Sequence, residues 1–417
     1  MPAMRADSGP DRPTVLDSTM NDVVLRGRVV TPDAVIDDGA VVVDGTEIVW
    51  VGEAARAAST PFADAVALAE PVAGYVLPGL VDLHNHGGGG ASFPDAATPD
   101  EVLRGVMEHR RHGTTAVVVS LVTAAPDTLR ERVAMLAELA ERGEIAGIHL
   151  EGPFLSAARC GAQDSRLMIP PDPDLTRELL ELGRGHVASM TLAAELEGAH
   201  EVAAALVTGG ALPSWGHTDA DPAAARAAVA AGVAALADGT GRSERAGVTH
   251  LFNGMKPWHH RDPGSVGEFL AAAARREVVV ELIGDGTHLA PEVVREVYDL
   301  LGRRGAVLVT DAMAATGMAD GDYRLGTQDV TVADGVARLA AGGSIAGGTA
   351  HLLDVVRTCV HGGIPLVDAV YMAATNPAAV LGNPVVGALE VGYWADLLIT
   401  DADLHPVRVI RHGKEVR

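Results

Sequence analysis

Histidine, glutamate and aspartate recur in this chain at the ends of apolar runs. They are His84 and His86 in LVDLHNHGGGG, Glu151 in IHLEGPF, His217 in PSWGHTDA, His250 in GVTHLFNGM and Asp311 in VLVTDAM. A strand places alternate side chains on one face, so the two histidines of His84-Asn85-His86 point the same way. Imidazoles and carboxylates that converge at strand ends form the donor set with which a divalent metal activates water. A single histidine is more often a hydrogen-bonded core or surface residue than a ligand. Five such sites at successive strand ends weaken that reading, because chance would scatter them over helices and loops. The chemistry these residues predict is metal-assisted hydrolysis.

The elements that must position them follow from the apolar patterning. In the middle of the chain, buried-strand candidates alternate with Ala- and Leu-rich helical stretches. The candidates are GLVDLH, TTAVVVSL, AGIHLE, VASMTLAAE, LPSWGH, GVTHLF, VVVELIG and AVLVTD. Eight strands, each followed by helical sequence, predict a (β/α)8 barrel, whose sites are built from the C-terminal ends of the strands. His84, Glu151, His217, His250 and Asp311 fall at or beside the ends of candidates one, three, five, six and eight, and His288 in GDGTHLAP follows candidate seven. Residues 22–51 instead alternate apolar and polar side chains between Gly and Asp turns, and the C-terminus repeats that pattern. Both ends therefore read as short antiparallel strands of one small β-sandwich. The expected division is a disordered extension over 1–20, the first part of the sandwich over 21–75, the barrel over 76–381 and the second part over 382–417.

Composition narrows the partners. With 48% hydrophobic and 21% charged residues the chain is core-forming rather than disordered. A formal net charge of −23 argues against nucleic acid and against an anionic membrane surface. The Ala-rich stretch 220–237, which contains Asp221, Pro222 and Arg226, reads as a surface-packed helix and not a membrane span. Two cysteines, Cys160 and Cys359, are too few for a disulfide framework, and a reduced, cytoplasmic setting is expected. Cys359 in DVVRTCVHGG reads as helix packing, whereas Cys160 sits in a small-residue loop just after Glu151 and reads as a reactive but non-catalytic thiol. The N-terminal twenty residues lack the apolar core of a signal peptide.

HxH on strand one, His on strands five and six, Asp on strand eight and a split β-sandwich together resemble the amidohydrolase superfamily. More narrowly, PGLVDLHNHG, HLEGPF, GHTDA, THLFNGM, HHRDPG, DGTHLAP, TDAM, SIAGG and NPAAVLG resemble the N-acetylglucosamine-6-phosphate deacetylases. Lysine usage agrees. Relatives that bridge two metals with a carboxylated lysine carry it on strand four, and the only lysines here are Lys256 and Lys414. In the deacetylases a strand-three glutamate takes that place, and Glu151 matches it. The chain departs from the family pattern in the following loop, with Gln163 where histidine is usual and Cys160 where lysine is common.

The resemblance implies hydrolysis of N-acetyl-D-glucosamine 6-phosphate to D-glucosamine 6-phosphate and acetate, in amino-sugar catabolism and cell-wall sugar recycling. It implies that Glu151, His217 and His250 hold one divalent ion, and that His84, His86 and Asp311, with Glu151 bridging, offer a second site. Zn, Fe, Co and Mn all suit such ligands. Asp311 would also be the catalytic proton carrier. Asn253, the backbone at Gly254, Ala162, His288 and Arg261 would contact substrate, with Arg261 gripping phosphate through its two-pronged guanidinium. In the family that arginine comes from the adjacent subunit, which implies a homodimer. For Arg261 taken alone, a surface ion pair with Asp262 is the plainer expectation. Two other readings compete: an amidohydrolase deacylating a different N-acyl amino sugar or amino acid, and a non-catalytic relative that lost its metals. The retained ligands oppose the second.

Overall fold

The computed structural model describes residues 23–239 and 241–417; the extension predicted over 1–20 lies outside them. Eight strands form one parallel sheet in sequence order: Leu80–Asn85, Thr114–Leu121, Gly147–Glu151, Val187–Leu192, Leu212–Trp215, Ala246–Val248, Val278–Leu282 and Ala306–Leu308. Each lies within or on one of the runs picked out in the sequence. The sheet closes on itself where the backbone continuing from the eighth strand meets the first. There the amide of Asp311 donates to the carbonyl of His84 at 2.9 Å, and that of His86 donates to Ala312 at 2.7 Å.

These strands are apolar along nearly their whole length because helices cover the outside and side chains fill the inside. The covering helices include Pro99–Arg111, Pro126–Glu141, Pro173–Leu182, Pro222–Leu236 and Pro291–Leu301, each with proline in its first turn. Proline suits that position because its missing N–H has no intrahelical partner to lose. Three start on a capping side chain: Thr98, in a reciprocal box with Glu101, Asp172 and Asp221. Each cap contributes about 1 kcal/mol. The Ala-rich stretch is the surface-packed helix Pro222–Leu236, and Cys359 is buried in helix Leu352–His361. Among the described residues, no helix is long and apolar enough to cross a membrane.

Both chain ends build a second, seven-stranded sheet. Its order is Lys414–Glu415, Pro406–Arg411, Leu397–Thr400, Pro71–Pro78, Val23–Val30, Val35–Asp44 and Glu47–Glu53. Edge strand Glu47–Glu53 turns back onto residues 392–395, with the Ile48 amide donating to Tyr393 at 2.8 Å. The sheet thereby wraps Leu25, Val41, Ile48, Leu397 and Ile410 inside, and Ala40, Val42, Ala57 and Val66 pack on the other face. The division proposed between residues 75 and 76 falls within Pro71–Pro78, which passes the chain directly to the first barrel strand.

One element has no counterpart in the sequence reading. After the eighth strand, Gly321–Leu325, Gln328–Ala333 and Val336–Leu339 form an antiparallel meander. Leu325, Val330, Val332 and Ala337 pack with Val122 and Met313, and Ala162 rests against them. The meander thus props the loop after the third strand from outside.

Candidate metal centre

His84 lies inside the first strand and Glu151 ends the third. His217, His250 and Asp311 lie just past the ends of the fifth, sixth and eighth. These last three have left-handed backbones, with φ of 46°, 29° and 48°. Such conformations are costly for residues with a Cβ and persist where the surroundings over-determine them, typically at functional sites. Here they turn the side chains from the barrel wall toward its axis.

The six side chains converge. One Glu151 oxygen lies 3.0 Å from His217 Nε2 and 2.9 Å from His250 Nε2, and those two nitrogens are 3.2 Å apart. The other Glu151 oxygen is 3.1 Å from His86 Nε2. His84 and His86 bring their Nε2 atoms to 3.0 Å, and Asp311 Oδ1 lies 3.4 and 3.3 Å from them. Two overlapping triads, His84–His86–Glu151 and Glu151–His217–His250, have donor atoms close enough to share an ion, and all are buried.

The electrostatics suit a cation. Burial would raise Glu151, but hydrogen bonds from His217 and His250 and the charge of His84 hold its carboxyl well below the ordinary range. Burial would lower His84, but Asp311, Glu151 and Glu281 raise it well above the usual imidazole value. Asp311, despite its burial, is held low by His84 and His86. Paired imidazole nitrogens facing each other across carboxylates present more lone pairs than shared protons can satisfy. A divalent ion fits that donor set.

Supporting residues aim the ligands. His84 Nδ1 meets Glu281 at 3.0 Å, and the same carboxylate accepts from the His250 amide at 3.1 Å. His217 Nδ1 donates to the Arg159 carbonyl at 2.8 Å, and His86 Nδ1 to that of Ser120 at 3.2 Å. Asp82 is fully buried and accepts from Thr310 and Asn85. Outer partners of this kind fix ring orientation and ligand basicity. Glu281 and Asp82 were missed in the sequence, although an acid inside VVVEL or GLVDL is a visible signal, because a carboxylate in an apolar strand needs a partner.

The substrate candidates divide into two groups. Gly254 packs over His217, where a Cβ would lie 2.8 Å from its Nδ1. Asn253 is half-buried, with its side chain donating to the His250 carbonyl at 3.3 Å. His288 is anchored to Asp285 at 2.8 Å, and that carboxylate raises it against the effect of burial. Ala162 neighbours Gln163, whose amide donates to Glu151 and whose oxygen accepts from the Thr123 amide at 2.8 Å. Arg261 does not converge with these residues. It is exposed and meets His260 at 2.7 Å. The ion pair expected with Asp262 is not formed; Lys256 pairs with Asp262 instead, at 2.7 Å.

The chain is similar to known proteins over most of its length. Residues 75–416 match the model of the amidohydrolase family. The chain is 34% identical over 335 residues to the N-acetylglucosamine-6-phosphate deacetylase of Vibrio furnissii, covering 79% of each. It is 32% identical over 355 residues to the N-acetylgalactosamine-6-phosphate deacetylase of Escherichia coli, covering 84% of this chain and 89% of that one. A solved structure of a mutant N-acetyl-D-glucosamine-6-phosphate deacetylase from Mycobacterium smegmatis, in complex with N-acetyl-D-glucosamine-6-phosphate, superposes with a TM-score of 0.85 at 40% identity. It covers 95% of this chain and 99% of that one.

Proposed function

Because the chain belongs to the amidohydrolase family, and within it to the N-acetylglucosamine-6-phosphate deacetylases, we propose that it hydrolyses N-acetyl-D-glucosamine 6-phosphate to D-glucosamine 6-phosphate and acetate. The observation that carries this reading is the convergence of Asp311 with Glu151 and four histidines at one end of the barrel. Glu151, His217 and His250 would hold one divalent ion, and His84, His86 and Asp311, together with Glu151, would offer a second site; Zn, Fe, Co or Mn would suit these donors. Such an ion supplies Lewis acidity toward the amide carbonyl and makes water more acidic.

The remaining chemistry belongs to the protein. Asp311 Oδ1 accepts a proton from the attacking water and returns it to the amine nitrogen as the C–N bond breaks. An amide nitrogen is a poor leaving group, so the second transfer matters as much as the first. His288, oriented by Asp285, contacts the sugar or polarises the acetyl carbonyl. Asn253, Gly254 and Ala162 line the sugar phosphate with neutral groups. Arg261 completes the phosphate site of a neighbouring subunit in a homodimer; its exposed loop, with Trp258 58% exposed beside it, supports that role. Two unpaired cysteines suit a reducing cytoplasm.

A second reading, the galactosamine epimer, is favoured by the similar identity to the Escherichia coli relative. The test is acetate release from the 6-phosphates of N-acetylglucosamine and N-acetylgalactosamine and from unphosphorylated N-acetylglucosamine, with elemental analysis of the same preparation. The expected ranking places the glucosamine phosphate first, about a hundredfold or more above the unphosphorylated sugar in kcat/KM. Preference for the galactosamine phosphate supports the second reading, and indifference to phosphate removes both.

A further inference from the structure

A second group of metal-ligating side chains lies away from the barrel axis. Glu108 and His112 stand at the C-terminal end of helix Pro99–Arg111, and His351 caps the start of helix Leu352–His361. Glu108 Oε1 is 3.0 Å from His351 Nε2 and 3.3 Å from His112 Nδ1. One donor atom from each of the three lies within 4.8 Å of the others. The two imidazoles stack with centroids 3.6 Å apart and planes 16° from parallel. Two stacked rings that share one glutamate oxygen form a donor set for a cation.

The surroundings are built for such a site. The rear nitrogen of His351 faces Asp354 at 3.4 Å, the carboxylate-behind-histidine arrangement that orients a metal-bound imidazole. The loop after the eighth strand covers Glu108 at Gly317, where a Cβ would fall 2.1 Å from the carboxylate oxygen. His112 remains 35% exposed at its side chain, leaving a route from solvent. Beside the trio, buried His109 has an unpartnered Nδ1, while its Nε2–H donates to the Gly87 carbonyl at 2.8 Å. Gly87 directly follows His86. His112 now donates to the Glu108 carbonyl at 2.8 Å, a bond it would give up if Nδ1 is the ligand.

We propose that Glu108, His112 and His351 form a further divalent-cation site, separate from the strand-end centre. Two imidazoles and one carboxylate suit a borderline-soft ion such as Zn²⁺. The ion would join helix termini 243 residues apart in sequence and brace, through His109 and Gly87, the segment that directly follows His86. Its role is structural, since none of the three residues faces the reacting atoms proposed above.

The test uses metal-stripped full-length protein titrated with Zn²⁺ against a chromophoric chelator. Wild type is expected to bind one more equivalent than His351→Asn or His112→Gln. Asparagine is a favoured helix cap, so His351→Asn removes the ligand while keeping the helix start. A readout on the wild type alone guards against a variant that fails to fold. Modification of His112 by diethylpyrocarbonate, followed by peptide mass spectrometry, should slow about tenfold at Zn²⁺ ten times its Kd, as mass action requires. Equal stoichiometry in wild type and folded variants, or His112 modification that ignores Zn²⁺, would overturn the proposal and leave the trio as an ion pair only.

Discussion

Asp311 carries two demands that its backbone makes compatible. Its left-handed φ of 48° turns the carboxylate toward His84 and His86, while its amide donates to the His84 carbonyl at 2.9 Å and closes the barrel. Asp311→Asn keeps the volume and the backbone bonds but cannot accept and return a proton. The kcat should fall by more than about a thousandfold with little change in KM, toward the upper range of general acid–base effects. Steady-state kinetics with a circular-dichroism control checks this, and a near-normal kcat would remove Asp311 from the mechanism.

Two loops decide how well that residue and Glu151 are held. The first is the SIAGG segment. The Gly348 amide donates to the Asp311 carbonyl at 2.6 Å, its own carbonyl accepts from Met313 at 2.9 Å, and a Cβ at Gly348 would lie 2.4 Å from the Thr310 carbonyl. Gly348→Ala should therefore displace Asp311 and lower kcat about a hundredfold, the scale of a misplaced catalytic group. A folded Gly348→Ala enzyme of full activity would show the strap to be dispensable. The second is the loop after the third strand, tied to the meander where Thr327 donates to Asp164 at 2.8 Å. Cys160 is half-buried there, and a Cβ at the next residue would lie 3.2 Å from the His217 ring. Alkylation at Cys160 should slow turnover and substrate should protect it, whereas Cys160→Ser stays active because no step needs sulfur. Cys359, buried and pushed up to about 12 by that burial, should remain unlabelled in the same mass spectrum. Full activity of the alkylated enzyme would place the loop outside the site.

At the scale of the molecule, the phosphate poses the sharper problem. A chain of net charge −23 must place positive charge locally to hold a dianion, and Arg261 is exposed rather than directed at its own centre. If it serves the neighbouring subunit, Arg261→Ala should raise KM for the 6-phosphate strongly and leave the unphosphorylated sugar almost unaffected. Co-expressing Asp311→Asn with Arg261→Ala chains decides the geometry. In the hybrid, the Arg261→Ala chain keeps its own Asp311 and borrows Arg261 from its partner. Activity at low substrate should then return to about half of wild type per hybrid dimer, the symmetry expectation for one intact site of two. Hybrids without recovery would confine Arg261 to its own subunit or to no site.

The apolar runs, their number and the placement of His84, His86, Glu151, His217, His250 and Asp311 at their ends were legible in the sequence. Strand periodicity and metal chemistry are local properties, carried by residue type and spacing. The family resemblance was legible for the same reason, in HLEGPF and THLFNGM. Tertiary structure decided what depends on distant segments meeting. Glu281 behind His84, Gln163 on Glu151 and Asp82 beneath Thr310 are partners supplied by other strands or loops, and one sequence does not encode who faces whom. The meander over 321–339 had its signal, alternation broken by Gly-Thr and Asp-Gly turns. What makes it part of the site is its packing on Val122 and Ala162. Glu108 and His351 stand far apart along the chain and reach 3.0 Å only because the fold brings the end of helix Pro99–Arg111 against the start of helix Leu352–His361.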